Sequence, residues 1–321
     1  MDIKRRSCDV LSVRIVLTGI SGRLGRRVAQ RLSRKHEIVG IDQRASPGLP
    51  ANIVHHQVDI RRRPAEDILR NGKFDAVVHL GVVHNFRIPS EKLFARNVIG
   101  TETLLRYVSK YKIKKLVLLS SGDVYGPMPT NSHFIGEDAP LMASQRFPEI
   151  RTLVAVDRAV QSFFWRHVDI ETVILRPAHI VGPHVRNAPS NYFRLRIIPK
   201  IMGFDPMVQL IHEDDLLRYI EASLAPKVRG VFNLAGIDPV PLSRILKILG
   251  KPLLPVPDFL FRAALERAWK YRLTSFPAPE LDHIRFNAVL DTKRARDELK
   301  AVPERNLYEI LEPFSAESVE D

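Results

Sequence analysis

Residues 13–25 of the chain read VRIVLTGISGRLG. The first half is a run of β-branched and aliphatic residues, which predicts a buried strand, and the residues after the stretch have the spacing of a helix. In the turn between them, Gly19 permits a sharp bend, Gly22 lets backbone amides approach a diphosphate, and Gly25 lets the helix pack closely on the strand. The stretch therefore predicts a strand, a glycine turn and a helix whose positive dipole end faces a phosphate group.

An acidic residue follows the next predicted strand. Residues 37–41 read EIVGI and are followed by Asp42, about 20 residues beyond the first glycine, where a carboxylate meets the ribose hydroxyls of a dinucleotide. Each feature alone has an ordinary explanation, since glycine turns join many strands to helices and a lone carboxylate can be solvated. Together they favour a dinucleotide site. Asp42 would repel a 2′-phosphate and so favours NAD over NADP, although Arg23 and Arg44 would offset part of that preference.

Composition is that of a soluble globular protein of one or two domains. The 321 residues are 45% hydrophobic and 26% charged, and 49 Lys and Arg against 36 Asp and Glu give a net charge of +13. The charge is scattered, and its two short runs, residues 4–6 and 61–63, are typical of solvated faces. We therefore expect a small acidic partner rather than a nucleic acid.

Cysteine content and hydropathy bear on location. Cys8 is the single cysteine, which excludes an intramolecular disulfide and fits a reducing compartment. The apolar part of the basic N-terminus is the first strand rather than a signal sequence. No apolar run approaches the length of a bilayer span. We expect a cytoplasmic protein.

Strands and helices alternate along the rest of the first half. This order predicts a parallel sheet with right-handed crossovers, whose ligands bind at the carboxyl ends of the strands. The further predicted strands are residues 53–58, 75–81, 115–120 and 171–175, and the further predicted helices are residues 64–70, 91–111 and 150–167.

The motifs together resemble those of extended short-chain dehydrogenases/reductases, the class that holds NAD-dependent nucleotide-sugar epimerases and dehydratases. The resemblance covers nearly the whole chain, and among these it is closest in character to bacterial epimerase-like proteins. It implies an α/β fold: a Rossmann-type doubly wound parallel sheet in residues 1–177, to which residues 210–236 return, and a smaller C-terminal substrate lobe mainly in residues 178–321. The motifs are TGISGRLG (18–25), VVHLG (77–81), NVIGT (97–101), SSGDVYG (120–126), RPAHIVGP (176–183), HEDD (212–215), VFNLA (231–235) and DTKRARDEL (291–299).

The resemblance also implies roles for individual residues. Asp42 would bind the adenosine ribose, and Asp59 with Ile60 the adenine. Ser121 would hydrogen-bond the reacting hydroxyl or carbonyl, although a serine there can also simply cap the strand end. The pyrophosphate would lie against Gly19, Ser21, Gly22, Arg23, Leu24 and Gly25, and further cofactor contacts would come from Leu80, Gly81, Asn97, Asp157 and Pro177. His179 and Arg186, with Arg194 and Arg196 nearby, are the candidate substrate contacts.

One expected motif is missing. Such enzymes carry Tyr-x-x-x-Lys on the next helix, but residues 127–164 contain no tyrosine and no lysine. Aligning Gln161 with the usual glutamate puts Leu153 at the tyrosine position and Asp157 at the lysine position. A leucine cannot move a proton, and an aspartate would raise rather than lower the pKa of a neighbouring phenol.

Three interpretations follow from this loss. In the first, the chain is an oxidoreductase acting on a hydroxyl or keto group of a nucleotide-sugar or lipid-linked substrate, and His84, His179 or Asp123 replaces the tyrosine. In the second, the chain binds NAD and a ligand without turnover, as a sensor or scaffold. In the third, Tyr192 or Tyr219 reaches into the site.

The histidines do not form a recognisable metal motif. There are 11 of them, but none has His-x-x-x-His spacing, and the adjacent His55 and His56 would point to opposite faces of a strand. No cysteine lies near to complete a ligand set. We therefore expect no metal site.

Four predicted helices bear on assembly, on surface contacts and on helix capping. The resemblance implies a homodimer formed through helices 91–111 and 150–167. Asp258 is expected to cap a helix with an apolar face and an opposing basic face, which suits either packing on its own lobe or peripheral contact with an anionic membrane. The apolar residues are Phe261, Ala264, Leu265, Ala268 and Trp269, and the basic ones are Arg262, Arg267, Lys270 and Arg272. Residues 212–215 are expected to cap a helix over 216–224.

Overall fold

The computed structural model of the protein describes residues 12–85, 87–274 and 277–316. Cys8 and the basic run 4–6 lie outside the described residues. The strands are β1 (Arg14–Thr18), β2 (Glu37–Asp42), β3 (Val54–Gln57), β4 (Ala76–His79), β5 (Lys115–Leu119), β6 (Glu171–Pro177), β7 (His179–Val181), β8 (Ile198–Ile201), β9 (Met207–Val208), β10 (Leu210–His212), β11 (Gly230–Leu234), β12 (Val240–Pro241) and β13 (Leu253–Val256). The α-helices are α1 (Arg23–Leu32), α2 (Arg63–Gly72), α3 (Ser90–Phe94), α4 (Gly100–Lys110), α5 (Ala143–Arg146), α6 (Arg151–Arg166), α7 (Ala188–Phe193), α8 (Glu213–Ser223), α9 (Leu242–Leu249), α10 (Asp258–Lys270), α11 (Lys293–Leu299) and α12 (Leu307–Leu311).

Seven strands form one parallel sheet in the order β11-β6-β5-β4-β1-β2-β3. Successive strands run outward from β1 in one direction as far as β3, and the chain then crosses to β4 on the other side. The order therefore reverses between β1 and β4, and the carboxyl ends of these two strands frame the crevice where doubly wound sheets bind ligands. The predicted Rossmann-type doubly wound sheet is confirmed.

Helices cover both faces of the sheet. One face packs against α1, α8 and α11, and the other against α2, α4 and α6. Because β1 and β4 are covered on both faces, their residues are buried except for Arg14, and they are apolar except for Arg14, Thr18 and His79. The helices α8 and α11 thus belong to the sheet's layers although they follow residue 178 in the chain.

The remaining C-terminal elements form a lobe beside the carboxyl edge of the sheet. Its core joins α7, α9 and α12, and it contains three two-stranded pairings, β7 with β10, β8 with β13 and β9 with β12. No helix among the described residues is both long enough and apolar enough to cross a membrane.

Several predicted element boundaries differ from the structure. The predicted helix 91–111 consists of α3 and α4 with a π-helical turn, Ala95–Ile99, between them. His212 caps α8 as predicted, its ring accepting a hydrogen bond from the amide of Asp214 at 3.2 Å. The predicted cap at Asp258 is wrong, because its carboxylate instead pairs with Arg262 and Arg285, both at 3.2 Å.

The predicted apolar face of α10 is divided. Phe261 and Leu265 pack into the lobe, and Trp269 lies under the guanidinium of Arg87, 3.3 Å from the ring centre. Phe259 and Leu260, in contrast, are 70% and 51% exposed. Part of α10 therefore packs on its own lobe while its first turn faces solvent.

Candidate active site

The glycine turn after β1 is shaped by close backbone packing. Gly19 has φ +77°, and a Cβ there would lie 2.6 Å from the carbonyl oxygen of Leu80; one on Gly25 would lie 2.1 Å from that of Gly19. A Cβ on Gly22 would meet the Gly19 oxygen at 3.2 Å. The helix α1 begins directly after Gly22 without a side-chain cap, so its first amides are free to bind a ligand. The turn fits a diphosphate.

Asp42 is fixed at the end of β2. Its carboxylate accepts hydrogen bonds from the amide of Ser21 at 3.1 Å and the amide of Arg44 at 3.0 Å. The Ser21 hydroxyl donates to the carbonyl of Arg44 at 2.8 Å, which holds the two loops together. The guanidinium of Arg44 lies 3.4 Å from the same carboxylate. Asp42 is therefore oriented beside the glycine turn, with the exposed guanidinium of Arg44 next to it.

One cleft of about 590 Å³ extends from the glycine turn to the C-terminal lobe. This size suits a small-molecule ligand. Residues predicted for three different roles line it. They are Gly19, Gly22, Arg23, Leu24, Gly25 and Leu80 of the predicted cofactor site, Ser121, Asp123 and His84 of the predicted catalytic group, and His179 and Arg186 of the predicted substrate site.

Ser121 and Asp123 form a hydrogen-bonded pair at the end of β5. The Ser121 hydroxyl donates to Asp123 Oδ2 at 2.9 Å and accepts from the Asp123 amide at 3.2 Å. The serine therefore caps the short 3₁₀ turn Gly122–Val124, as the ordinary alternative expects, and it lines the cleft as well. The capping hydrogen bonds therefore do not remove Ser121 from the lining of the cleft.

Three imidazoles surround Asp123. Nδ1 of His179 lies 3.9 Å from Asp123 Oδ1, and the His283 ring packs edge-on against His179 with 5.3 Å between centroids. Burial raises the pKa of Asp123, but His283, His179 and His84 and the Ser121 hydroxyl outweigh it and leave the pKa lowered. Burial lowers the pKa of His84 below 6.5, against the charge of Asp123. It also lowers the pKa of His283 to about 4.

His283 was not identified from the sequence. It lies on the 3₁₀ helix Ala278–Ile284 of the C-terminal lobe, outside every motif of the resemblance. Only the folding of this lobe onto the sheet's edge brings it to the cleft, so no local spacing could have revealed it.

Leu153 and Asp157 lie on α6 but differ in position. Leu153 lines the cleft. Asp157 is fully buried, and its two oxygens accept from Arg176 Nη2 at 2.7 Å and Nε at 2.9 Å. Ser120 and Gln161 also donate to it, at 2.6 and 2.7 Å. The expected cofactor contact of Asp157 is therefore corrected: its carboxylate holds β6 to α6.

Other predicted cofactor residues are engaged within the protein. The amide group of Asn97 donates to and accepts from the backbone of Val83, both at 2.8 Å, so it positions the loop after β4. The carboxylate of Asp59 pairs with Arg61 at 2.5 Å, and Ile60 packs against the core. Pro177 ends β6 and Gly81 lies two residues beyond the end of β4, and neither lines the cleft.

The two tyrosines considered as replacements are not positioned for proton transfer. Tyr192 lines the cleft, but its hydroxyl donates to the carbonyl of Pro199 at 2.8 Å and burial raises its pKa. Tyr219 lies in the core under the sheet, where burial raises its pKa to about 12. Among the substrate candidates, Arg194 binds the carbonyls of Val185 and Gly182 at 2.9 and 3.0 Å. Arg186 lines the cleft and is exposed, as is Arg23 at the glycine turn.

The chain is similar to several known proteins. An uncharacterized protein of Mycobacterium tuberculosis is 29% identical over 265 residues, 80% of this chain and 69% of its own length. A UDP-glucose 4-epimerase of Dictyostelium discoideum is 30% identical over 225 residues, 63% of this chain and 64% of its own. The crystal structure of a UDP-glucuronic acid 4-epimerase from Bacillus cereus in complex with NAD matches with a TM-score of 0.73 over 96% of both chains, at 19% identity, a likeness of fold.

A sequence model of the NAD dependent epimerase/dehydratase family matches residues 15–203. This range contains the glycine turn, Asp42, Ser121 and the strand ends that frame the cleft, and it makes up more than half of the chain. The protein belongs to the NAD dependent epimerase/dehydratase family.

Proposed function

We propose that the protein is an NAD-binding oxidoreductase of the epimerase/dehydratase type that acts on a hydroxyl or keto group of a nucleotide-sugar or lipid-linked substrate. One observation carries the proposal. The glycine turn and the group formed by Ser121, Asp123 and the histidines line the same cleft, and Asp42 lies beside that turn, where its carboxylate accepts from the Ser21 amide.

The cofactor end of the cleft fits NAD. The amides that begin α1 would bind the diphosphate, and Asp42 would bind the adenosine ribose. When bound, NAD supplies a hydride acceptor and donor. Its nicotinamide end would extend along the sheet edge toward Leu80 and Ser121, which line the cleft beyond the turn. NAD would be preferred to NADP because the carboxylate of Asp42 would repel a 2′-phosphate, and the cation of Arg44 would reduce that repulsion only in part.

The proton would be moved by a histidine in place of the missing tyrosine. Because its pKa lies below 6.5, His84 is neutral at neutral pH and can accept a proton from a substrate hydroxyl. Ser121 would hold the same oxygen by a hydrogen bond. Asp123, which already orients Ser121, would stabilise the charged imidazole that results.

The substrate class is supported by the relatives. The curated and solved relatives include enzymes named for UDP-glucose and UDP-glucuronic acid. Arg186 lies exposed at the cleft on the side of the C-terminal lobe, where a guanidinium group suits a diphosphate or a carboxylate. His179, on the same side, would contact the sugar.

Ser121→Ala tests the catalytic role. Purified protein loaded with NAD is mixed separately with UDP-glucose and UDP-glucuronic acid, and the absorbance of the reduced nicotinamide is followed. We expect reduction by at least one of them and a rate about 100-fold lower in the variant, since one hydrogen bond to the reacting oxygen is lost. Ser132→Ala, an exposed serine on another loop, is the control. An unchanged rate in Ser121→Ala would remove the role proposed for this hydroxyl.

A second candidate is a regulator or scaffold that binds NAD without turnover. It is favoured by Leu153 in the cleft and by the burial of Asp157 against Arg176, since neither can replace a tyrosine and lysine. The same experiment separates the two candidates. Mass spectrometry of nucleotide released from the purified protein identifies the cofactor. If the protein holds NAD but neither nucleotide sugar reduces it, the regulator is favoured.

We also infer assembly and location from the sequence. A homodimer would form through α4 and α6, and Trp165 at the end of α6 is 73% exposed. Light scattering of the wild type and of Trp165→Ser tests this, with a monomeric wild type as the contradicting result. The first turn of α10 would contact an anionic membrane surface. A cytoplasmic location stays a prediction.

A further inference from the structure

Asp123, His179 and His283 meet at one point of the cleft although they are far apart in the chain. Each offers one ligand atom, and the three atoms lie within 4.8 Å of one another. They come from the turn after β5, from β7 and from the C-terminal lobe respectively. Donors held on separate, rigid elements of a cleft are positioned as metal ligands are.

His283 supplies an independent observation. Its Nδ1 is shielded from solvent and makes no hydrogen bond with any of the described residues. Buried polar atoms are nearly always paired, so an unpaired ring nitrogen requires an explanation.

The distances favour a metal ion over a hydrogen bond. Oδ2 of Asp123 is engaged by Ser121, whereas Oδ1 lies 3.9 Å from Nδ1 of His179, which is too long for a hydrogen bond. Ligand atoms on one tetrahedral zinc ion stand about 3.4 Å apart, because each is about 2 Å from the metal. A small side-chain rotation would close the difference.

We propose that Asp123, His179 and His283 bind one divalent transition-metal ion of the zinc class. Two imidazoles and one carboxylate leave a coordination position open to the cleft, as in catalytic rather than structural sites. Ser121 borders the same space. If the proposed function holds, the ion would polarise the substrate oxygen, and this role rests on that function, whereas metal binding itself does not.

The sequence argument against a metal considered only histidines close together in the chain. It tested His283 only for local spacing, and it gave His179 as a substrate contact or a proton carrier, roles that His179 would not fill while it is a metal ligand. The ligands here are brought together by the tertiary fold, so their spacing carries no local signature. The alternative explanation is a proton relay among the same groups, in which no ion binds.

Titration with cobalt(II) distinguishes metal binding from a proton relay. Tag-free full-length protein is treated with a chelator and titrated with Co²⁺ while its visible absorption is recorded, and Zn²⁺ is then added in competition. We expect one equivalent of Co²⁺ with the absorption of a low-coordinate site, displaced by Zn²⁺. His179→Gln and His283→Gln should each weaken binding at least about 100-fold, whereas His133→Gln, an exposed histidine outside the cluster, should not.

Circular dichroism and thermal unfolding of each variant establish that it is folded. NAD affinity is measured on the same samples, so that a failure of the NAD proposal is seen separately from a failure of metal binding. A wild-type protein that takes up no stoichiometric Co²⁺, or a folded His283→Gln variant that binds Co²⁺ as the wild type does, would overturn the proposal.

Discussion

His79 is held at both ring nitrogens at the end of β4. The hydroxyl of Thr18 lies 2.6 Å from its Nδ1, and that of Thr101 lies 3.0 Å from its Nε2. The ring thus ties β1 and α4 to β4 beneath the glycine turn. Burial lowers its pKa to about 4, so the native protein contains a neutral histidine where the unfolded chain has an ordinary one.

This difference predicts a dependence of stability on pH. Between the unfolded pKa of 6.5 and the native pKa of about 4, only the unfolded chain binds the proton, so the free energy of unfolding falls as pH drops through this window. Over the whole window the contribution of His79 amounts to about 3 kcal/mol, of which about 2 kcal/mol is lost between about pH 7.5 and about pH 5. Urea unfolding at these two pH values measures that loss. His79→Gln should show a smaller loss of stability than the wild type, and an equal loss in both would contradict the account.

At the level of elements, an ion pair joins β6 to α6. Arg176 and Asp157 are both fully buried. Arg176 also donates to the hydroxyl of Tyr125 at 2.6 Å, and that hydroxyl donates to Asn233 on β11 at 2.8 Å. The network therefore spans three elements under the carboxyl edge of the sheet. Leaving any buried polar group of this network without its hydrogen-bond partner should lower the stability of the fold.

Removing one member of the pair should destabilise the fold strongly. Asp157→Asn or Arg176→Met leaves the other charge buried without its partner and should cost about 3–5 kcal/mol in urea unfolding. Changing both residues should cost less than the sum of the two single changes. The matched control is Asp67→Asn, whose exposed pair with Arg70 should contribute about 1 kcal/mol or less. A single variant at the buried pair that is as stable as this control would refute the role assigned to it.

The helix α10 carries the prediction about membranes. Phe259 and Leu260 are exposed at its first turn, and Leu273 just beyond its end is 80% exposed, with Arg267 and Lys270 also exposed between them. We expect sedimentation with vesicles of anionic phospholipid and none with vesicles of neutral phospholipid. Phe259→Ser with Leu260→Ser should weaken this binding about tenfold, since two apolar side chains are removed. Equal binding to anionic and neutral vesicles, or equal binding by the wild type and the double variant, would contradict membrane contact through α10.

Across the whole molecule, the sequence predicts the sheet better than the lobe. The strands β1, β2, β4, β5 and β6 lie within two residues of their predicted bounds, because buried parallel strands are continuous apolar runs. The glycine turn is local in part: Gly22 and Gly25 are crowded by the Gly19 backbone of the same stretch, whereas Gly19 is crowded by Leu80 after β4. The residues at the carboxyl edge of the sheet are predictable where a motif follows a strand end, as at Ser121.

The lobe and its contribution to the cleft are not predictable in this way. His283 reaches Asp123 only through long-range packing, and Asp157 is turned from the cofactor by Arg176, a residue on another strand. Asn97 likewise acts through the loop at Val83. Such partners depend on which elements become neighbours, which local patterns of apolar and polar residues do not specify.

Binding of NAD is the claim on which the proposed function depends, and calorimetric titration tests it most directly. We predict one NAD per chain, weaker binding of NADP, and about tenfold weaker binding of NAD to Asp42→Ala, because hydrogen bonds from the ribose to a carboxylate are lost. Asp67→Ala, an exposed carboxylate on α2, should bind NAD as the wild type does. No heat with either nucleotide, or equal NAD affinity in the wild type and Asp42→Ala, would contradict the account.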